Sequence, residues 1–157
     1  MNDPYVNEAL IDQFERVLLM FREAAAAFSE EEWKIGDSDY QRPAGLALHL
    51  VETIHFYTSN VPVNEFEWGG PFKVDWENED SEKLPSSKQV LAYLDDIWSD
   101  AREWMISCDL SSKEDLYPGT GKTLLSKMGY LLRHCQHHTA ELSLELTRRG
   151  LPAPEWR

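Results

Sequence analysis

The sequence predicts an all-α protein, a four-helix bundle with a long irregular connection between its second and third helices. Three observations predict it. Apolar residues recur at steps of three and four over four long stretches, as one face of a helix requires. The segment 60–86 carries repeated helix breakers, Pro62, Gly69-Gly70-Pro71 and Pro85, that rule out a regular helix there. No stretch alternates apolar and polar residues between hairpin turns in the manner of a strand.

The first helix is expected over about 6–28, with Leu10, Phe14, Val17, Leu18, Phe21 and Ala25 on one face. Asp3-Pro4 reads as its start, Asp as cap and Pro in the first turn, where a missing N–H costs nothing. Ser29-Glu30-Glu31-Glu32-Trp33 can begin a short extra turn, and Gly36-Asp37-Ser38-Asp39 reads as loop. The second helix runs from near Pro43 to about Ser59, with Leu46, His49, Leu50, Thr53, Phe56 and Tyr57 along one stripe. The connection 60–86 holds Pro62, Gly69-Gly70-Pro71 and Pro85 together with Phe66, Trp68, Phe72 and Trp76. So long a segment without regular structure is uncommon in a compact domain unless it is functional or packed by its own side chains, and it is expected to fold over an end of the bundle. Ser86-Ser87 can cap a third helix over 87–107, and Gly119-Thr120-Gly121 marks the next break. The fourth helix, about 123–149, ends with Arg148-Arg149 at the negative end of its dipole, then Gly150 and Pro152. A single domain over 1–157 is expected.

Composition sets the class. Hydrophobic residues make up 42% and charged residues 27%, and six Trp, six Tyr and six Phe argue against disorder. No apolar run reaches the ~18–20 residues of a membrane span, so no membrane role is expected. The beginning of the chain lacks the basic start and apolar core of an export signal. Cys108 and Cys135 lie in different predicted helices, which suits free thiols in a reducing cytoplasm. The formal net charge of −13 repels phosphate backbones, and no basic patch larger than pairs such as Arg148-Arg149 offsets it; nucleic acid is therefore excluded as a partner.

The histidines carry the chemistry. Three of the five stand in His134-Cys135-Gln136-His137-His138. On a helix, positions four apart differ by roughly 40° in direction, so the imidazoles of His134 and His138 can converge on one ion. His49, on the inward stripe of the second helix, is the candidate third ligand. His137 lies about 60° from His134 on the side away from His138, and His55 is rotated about 240° from His49; both are expected off the site. Three imidazoles leave coordination positions open to water or substrate, with zinc the first choice of ion and nickel the next. Ordinary boundary histidines without an ion are the alternative at this level, and the carboxylate of an H-E-x-x-H motif is missing between His134 and His138.

With these residues in view, the chain resembles the DinB/YfiT-like metalloenzymes. The resemblance rests on a histidine in the setting Ala47-Leu48-His49-Leu50, on the spacing of His134 and His138, and on Arg149-Gly150-Leu151-Pro152, and it spans nearly the whole chain. It implies one DinB-like four-helix-bundle domain with an unusual connection between the second and third helices, and metal ligands His49, His134 and His138. Thr139-Ala140-Glu141 departs from the Arg-Gly-Gln that follows the ligands in many relatives. Glu141 shares the face of His134 and His138, so it is a candidate catalytic proton acceptor, a carboxylate that orients a ligand imidazole, or a solvated helix residue. Glu52, three residues after His49, invites the same reading. Trp68, Phe72 and Trp76 either line a substrate site or cap the core.

One motif is set aside. Tyr117-Pro118-Gly119-Thr120-Gly121-Lys122-Thr123 ends like a phosphate-binding loop, but Leu116 stands where its first Gly belongs and no strand precedes it. Two functional readings follow. In the first, the protein is a metal-dependent hydrolase or a transferase using a low-molecular-weight thiol, acting on a small-molecule substrate. In the second, it is a non-catalytic metal-binding or structural bundle. Homodimerisation is implied by the resemblance alone.

Overall fold

A computed structural model describes residues 4–37 and 42–157. Among the described residues the protein is all-helical: α1 (Pro4–Ala27), α2 (Glu30–Lys34), α3 (Pro43–Thr58), α4 (Ser87–Ser107) and α5 (Leu124–Arg148), with short 3-10 turns at Gly70–Phe72, Ser81–Lys83 and Pro118–Thr120. Among the described residues there is no strand, only an isolated bridge between Lys113 and Thr123. No described helix is long and apolar enough to cross a membrane. The proposed cap Asp3 and the loop residues Ser38 and Asp39 lie outside the described residues.

Helices α2 to α5 start for readable reasons. Ser29 and Glu32 form a capping box at α2, and Ser86 and Gln89 form another at α4, each satisfying backbone N–H groups that a helix start leaves open. Pro43 opens α3, and the Thr123 hydroxyl accepts from Ser126 N at the start of α5. The segment that mimics a phosphate loop is thus a 3-10 turn, Pro118–Thr120, leading into that cap.

Helix direction follows from the cross-helix contacts. α1 and α4 are antiparallel: Asn7 Nδ2 donates to Met105 O (2.6 Å) at one end, and Arg22 pairs with Asp95 (2.6 Å) toward the other. α3 and α5 are antiparallel too, with His49 beside His138 and Tyr57 beside Tyr130. α3 and α4 are parallel. His55 meets Tyr93, while Thr58 and Ser59 share a crevice with Ile97 and Asp100 one turn further along α4. Arg149, just past the end of α5, donates to the carbonyls of Glu32 and Ile35 beyond the end of α1, which makes those two helices parallel.

A parallel pair cannot be joined by a tight turn, so the chain must travel back the length of α3, about 24 Å at 1.5 Å per residue. The segment between α3 and α4 does this. Phe66 and Trp68 pack on Phe56, Gly69 meets Glu52, Trp76 lies on His49, and Glu79 O accepts from Arg42. It then reaches α2, where Trp33 Nε1 donates to Pro85 O (2.8 Å). The expectation that this segment covers an end of the bundle is corrected: it runs along the side of α3, because only that path connects parallel neighbours. The expected apolar stripe on α3 is also corrected. Ala44, Gly45, Leu46, Ala47, Leu48, Leu50, Val51 and Ile54 are all buried, so the helix is covered all round, enclosed by α2, α4, α5 and the crossover.

The core runs between the long helices, with Phe14, Phe21, Leu48, Leu94, Met105, Met128 and Leu142 fully enclosed. Beside it lies one buried ion pair. Lys127 Nζ stands 2.9 Å from Glu114 Oε2, both side chains 2% exposed, and the ammonium sits over the rings of Trp104 and Tyr117. Burial pushes the Glu114 carboxyl up, but Lys127 and the N–H groups of Tyr117 and Leu116 outweigh it and hold it below the ordinary carboxylate range. Removing one member strands the other charge. Glu114→Ala should therefore lose about 3–5 kcal/mol in urea unfolding, whereas the joint replacement Lys127→Met, Glu114→Gln should lose far less.

Candidate metal centre

The antiparallel packing of α3 and α5 brings His49, His134 and His138 face to face. Their ring centroids are 5.0 Å (His49–His134), 4.9 Å (His49–His138) and 4.3 Å (His134–His138) apart. One ring nitrogen from each lies within 4.8 Å of the others. An ion bound at about 2.0–2.1 Å in tetrahedral geometry needs nitrogens roughly 3.3 Å apart, so small side-chain rotations close the set.

The donors suit a cation. Burial lowers the His49 pKa to about 4, helped by the nearby charge of His138, and lowers that of His134 to about 3, helped by His138 and His49. Burial lowers His138 as well, against the opposing pull of Glu141. Neutral imidazoles offer lone pairs without first releasing protons. His134 Nε2 is buried and has no hydrogen-bond partner, an arrangement costly for a polar atom that an ion would complete.

Glu141 stands behind His138, its Oε2 2.6 Å from His138 Nδ1. A carboxylate there accepts the Nδ1 proton and leaves Nε2 as the free donor, which fixes the tautomer of a ligand. Its other oxygen lies 3.4 Å from Nε2 of His137, whose side chain is 68% exposed and turned away from the site. His55 is elsewhere: its Nδ1 pairs with the Tyr93 hydroxyl (2.7 Å) and its ring packs on Phe66.

The crossover walls the site. Trp76 lies on His49 with centroids 4.7 Å apart, and from His49 an open cleft of about 840 Å³ extends between Trp76, Trp68 and the Gly69-Gly70 turn. Of the two readings open for the crossover aromatics, Phe72 takes the second: it packs on Tyr93 against the core and does not line the cleft. Glu52 lies in this cleft, 1% exposed, with the backbone N–H of Gly69 donating to Oε1 and that of Gly70 also reaching the carboxyl. Burial pushes the Glu52 carboxyl up to about 7; the two N–H groups pull it down and the charge of Asp75 adds to the rise. The turn needs its glycines. Gly69 and Gly70 have φ of 89° and 49°, and a Cβ on Gly69 would strike the backbone of Val74 at 2.6 Å.

No family model, curated protein or solved structure matches the chain. The site rests on its own geometry, and one residue and one pairing in it have no counterpart in the sequence expectations. Tyr130 stacks on His134 (6.2 Å, 22°), and its position four residues before His134 was the available signal. The pairing of Glu52 with Gly69 joins residues 17 apart and had no local signal.

Two outcomes are expected. Zinc titration of the metal-free protein should show one tight site that His49→Ala, His134→Ala and His138→Ala abolish and that His137→Ala and His55→Ala leave intact. In the metal-free protein, His49 and His134 resist protonation when folded but protonate near 6.5 when unfolded, so the unfolded state binds more protons below that pH. Stability should fall as pH drops from about 6.5 toward 4, and denaturation midpoints at stepped pH should lose part of that slope in His49→Phe.

Proposed function

We propose that this chain is a DinB-like four-helix-bundle metalloenzyme that holds one divalent ion, zinc first and nickel next, on His49, His134 and His138. The observation that carries the reading is the open cleft that begins at His49. A site meant only to tie two helices together gains nothing from a pocket beside it, whereas a catalytic site keeps a position open to its substrate. Bound there, the ion would supply Lewis acidity to a small molecule entering the cleft. The reactions it fits are hydrolysis and transfer to or from a low-molecular-weight thiol.

Within this reading Glu141 is a positioning residue. It touches the rear nitrogen of His138, so it acts on substrate only by setting the imidazole's orientation and donor strength. Trp76 restrains His49 in the same sense, by packing rather than hydrogen bonding. Glu52 holds the Gly69-Gly70 turn, and through it the cleft wall. A homodimer is part of the DinB-like proposal and is tested by sedimentation.

The experiment is metal analysis of gently purified protein, followed by assays pairing small thiols with electrophilic acceptors and offering simple esters. About one zinc or nickel per chain and turnover lost in His49→Ala are expected. A wild type that is metal-free and has no affinity for either ion overturns the proposal. Glu141→Gln should weaken zinc binding by about 10–100-fold and leave the helical content unchanged by circular dichroism.

A further inference from the structure

The cleft beside the histidines has a chemical character of its own. Its aromatic walls are Trp68 and Trp76, and its acidic lining is Glu52, Glu67, Asp75 and Glu77. Lys73 is the single basic residue among the lining groups. Glu52 is the most telling of these. It is 1% exposed, accepts only backbone N–H groups, and among the described residues has no cationic partner. Asp75, of the same sign, acts on it and pushes its carboxyl further up. Asp75 is itself held in place, accepting from Glu77 N (3.1 Å) and Asn78 Nδ2 (2.8 Å).

A buried carboxyl on which a second carboxyl acts is costly to keep ionised without a countercharge. Indole faces attract organic cations, and they do so most strongly where water is partly excluded. A buried carboxyl and exposed ones that line a cleft together with two tryptophans make a receptor for an ammonium group. The overall charge of −13 acts in the same direction, drawing cations toward the protein and repelling anions.

We infer that the cleft accepts a small organic cation, a molecule whose primary or quaternary ammonium group seats over Glu52 and Asp75 between Trp68 and Trp76. This names the substrate class for the metalloenzyme proposed above and rests on that reading for its place in the reaction. The ammonium end is held by the acidic cleft, and the remainder of the molecule extends toward His49. Substrates and thiols that carry a net negative charge are disfavoured at the same surface.

The test uses the full chain, both metal-free and zinc-loaded, and follows tryptophan fluorescence during titration with benzylamine, benzyl alcohol and benzoate. These probes share a ring and differ in charge. In the metal-free protein benzylamine should bind about tenfold more tightly than benzyl alcohol, with benzoate weakest. Glu52→Gln, which keeps an acceptor for Gly69 N, should remove most of that advantage while zinc binding persists. Benzoate binding the metal-free protein as well as benzylamine, or an unchanged preference in Glu52→Gln, overturns the inference. Should Glu52→Gln fail to fold, the wild type decides through salt: the preference for benzylamine must shrink at high ionic strength, and a preference indifferent to salt overturns the inference. Zinc bound without any preference for the amine sinks the inference alone; absence of zinc binding sinks the metal reading alone, because the metal-free titration still reports on the cleft.

Discussion

The parallel alignment of α3 and α4 is the constraint on which the rest of the molecule depends. Parallel neighbours cannot share a short turn, so the chain returns along α3 before α4 can begin. That return path places Trp76 on His49, the Gly69-Gly70 turn on Glu52, and Trp68 at the mouth of a cleft. With an antiparallel α4, a tight turn would suffice and the histidines would face solvent without a wall. The length of the crossover, its glycines and its aromatic residues all answer to this one requirement.

The grouping of three histidines is the complementary result of the antiparallel pair α3 and α5. A helix fixes the direction of its own side chains, and one turn separates His134 from His138. The facing helix then needs to present a single imidazole at the right height, which His49 does. Glu141 is on the same helix as the histidine it contacts, so the ligand and its restraint come from one rigid element. Such a site loses little precision to loop motion.

What the sequence made legible was whatever a single helix determines. The four long helices, the capping serines Ser29 and Ser86, and the choice of His138 over His137 all follow from local geometry. The nearness of Glu141 to His138 was legible for the same reason. What stayed hidden depends on elements far apart in the chain. The path of the crossover required the relative direction of α3 and α4, which periodicity does not encode. The burial of α3 on every side looked like a stripe because His49, Glu52 and His55 interrupt its apolar run, and only the crossover explains why Glu52 is enclosed. No periodic pattern could foretell that Phe72 turns to Tyr93 while Trp68 and Trp76 turn to the cleft.

Helices and crossover divide the construction of the site between them. The three imidazoles belong to α3 and α5 alone, so their grouping is complete as soon as those helices pack. The wall of the cleft arrives with a segment rich in turns and exposed backbone, the kind of structure that opens and closes most readily in a native protein. Release of the crossover from Glu52 would widen the entrance without separating the three imidazoles, because none of them comes from the crossover. On the proposed function, loading of an ion and admission of a substrate would be separable events, one governed by helix packing and the other by the hold of a single buried carboxyl on two glycines.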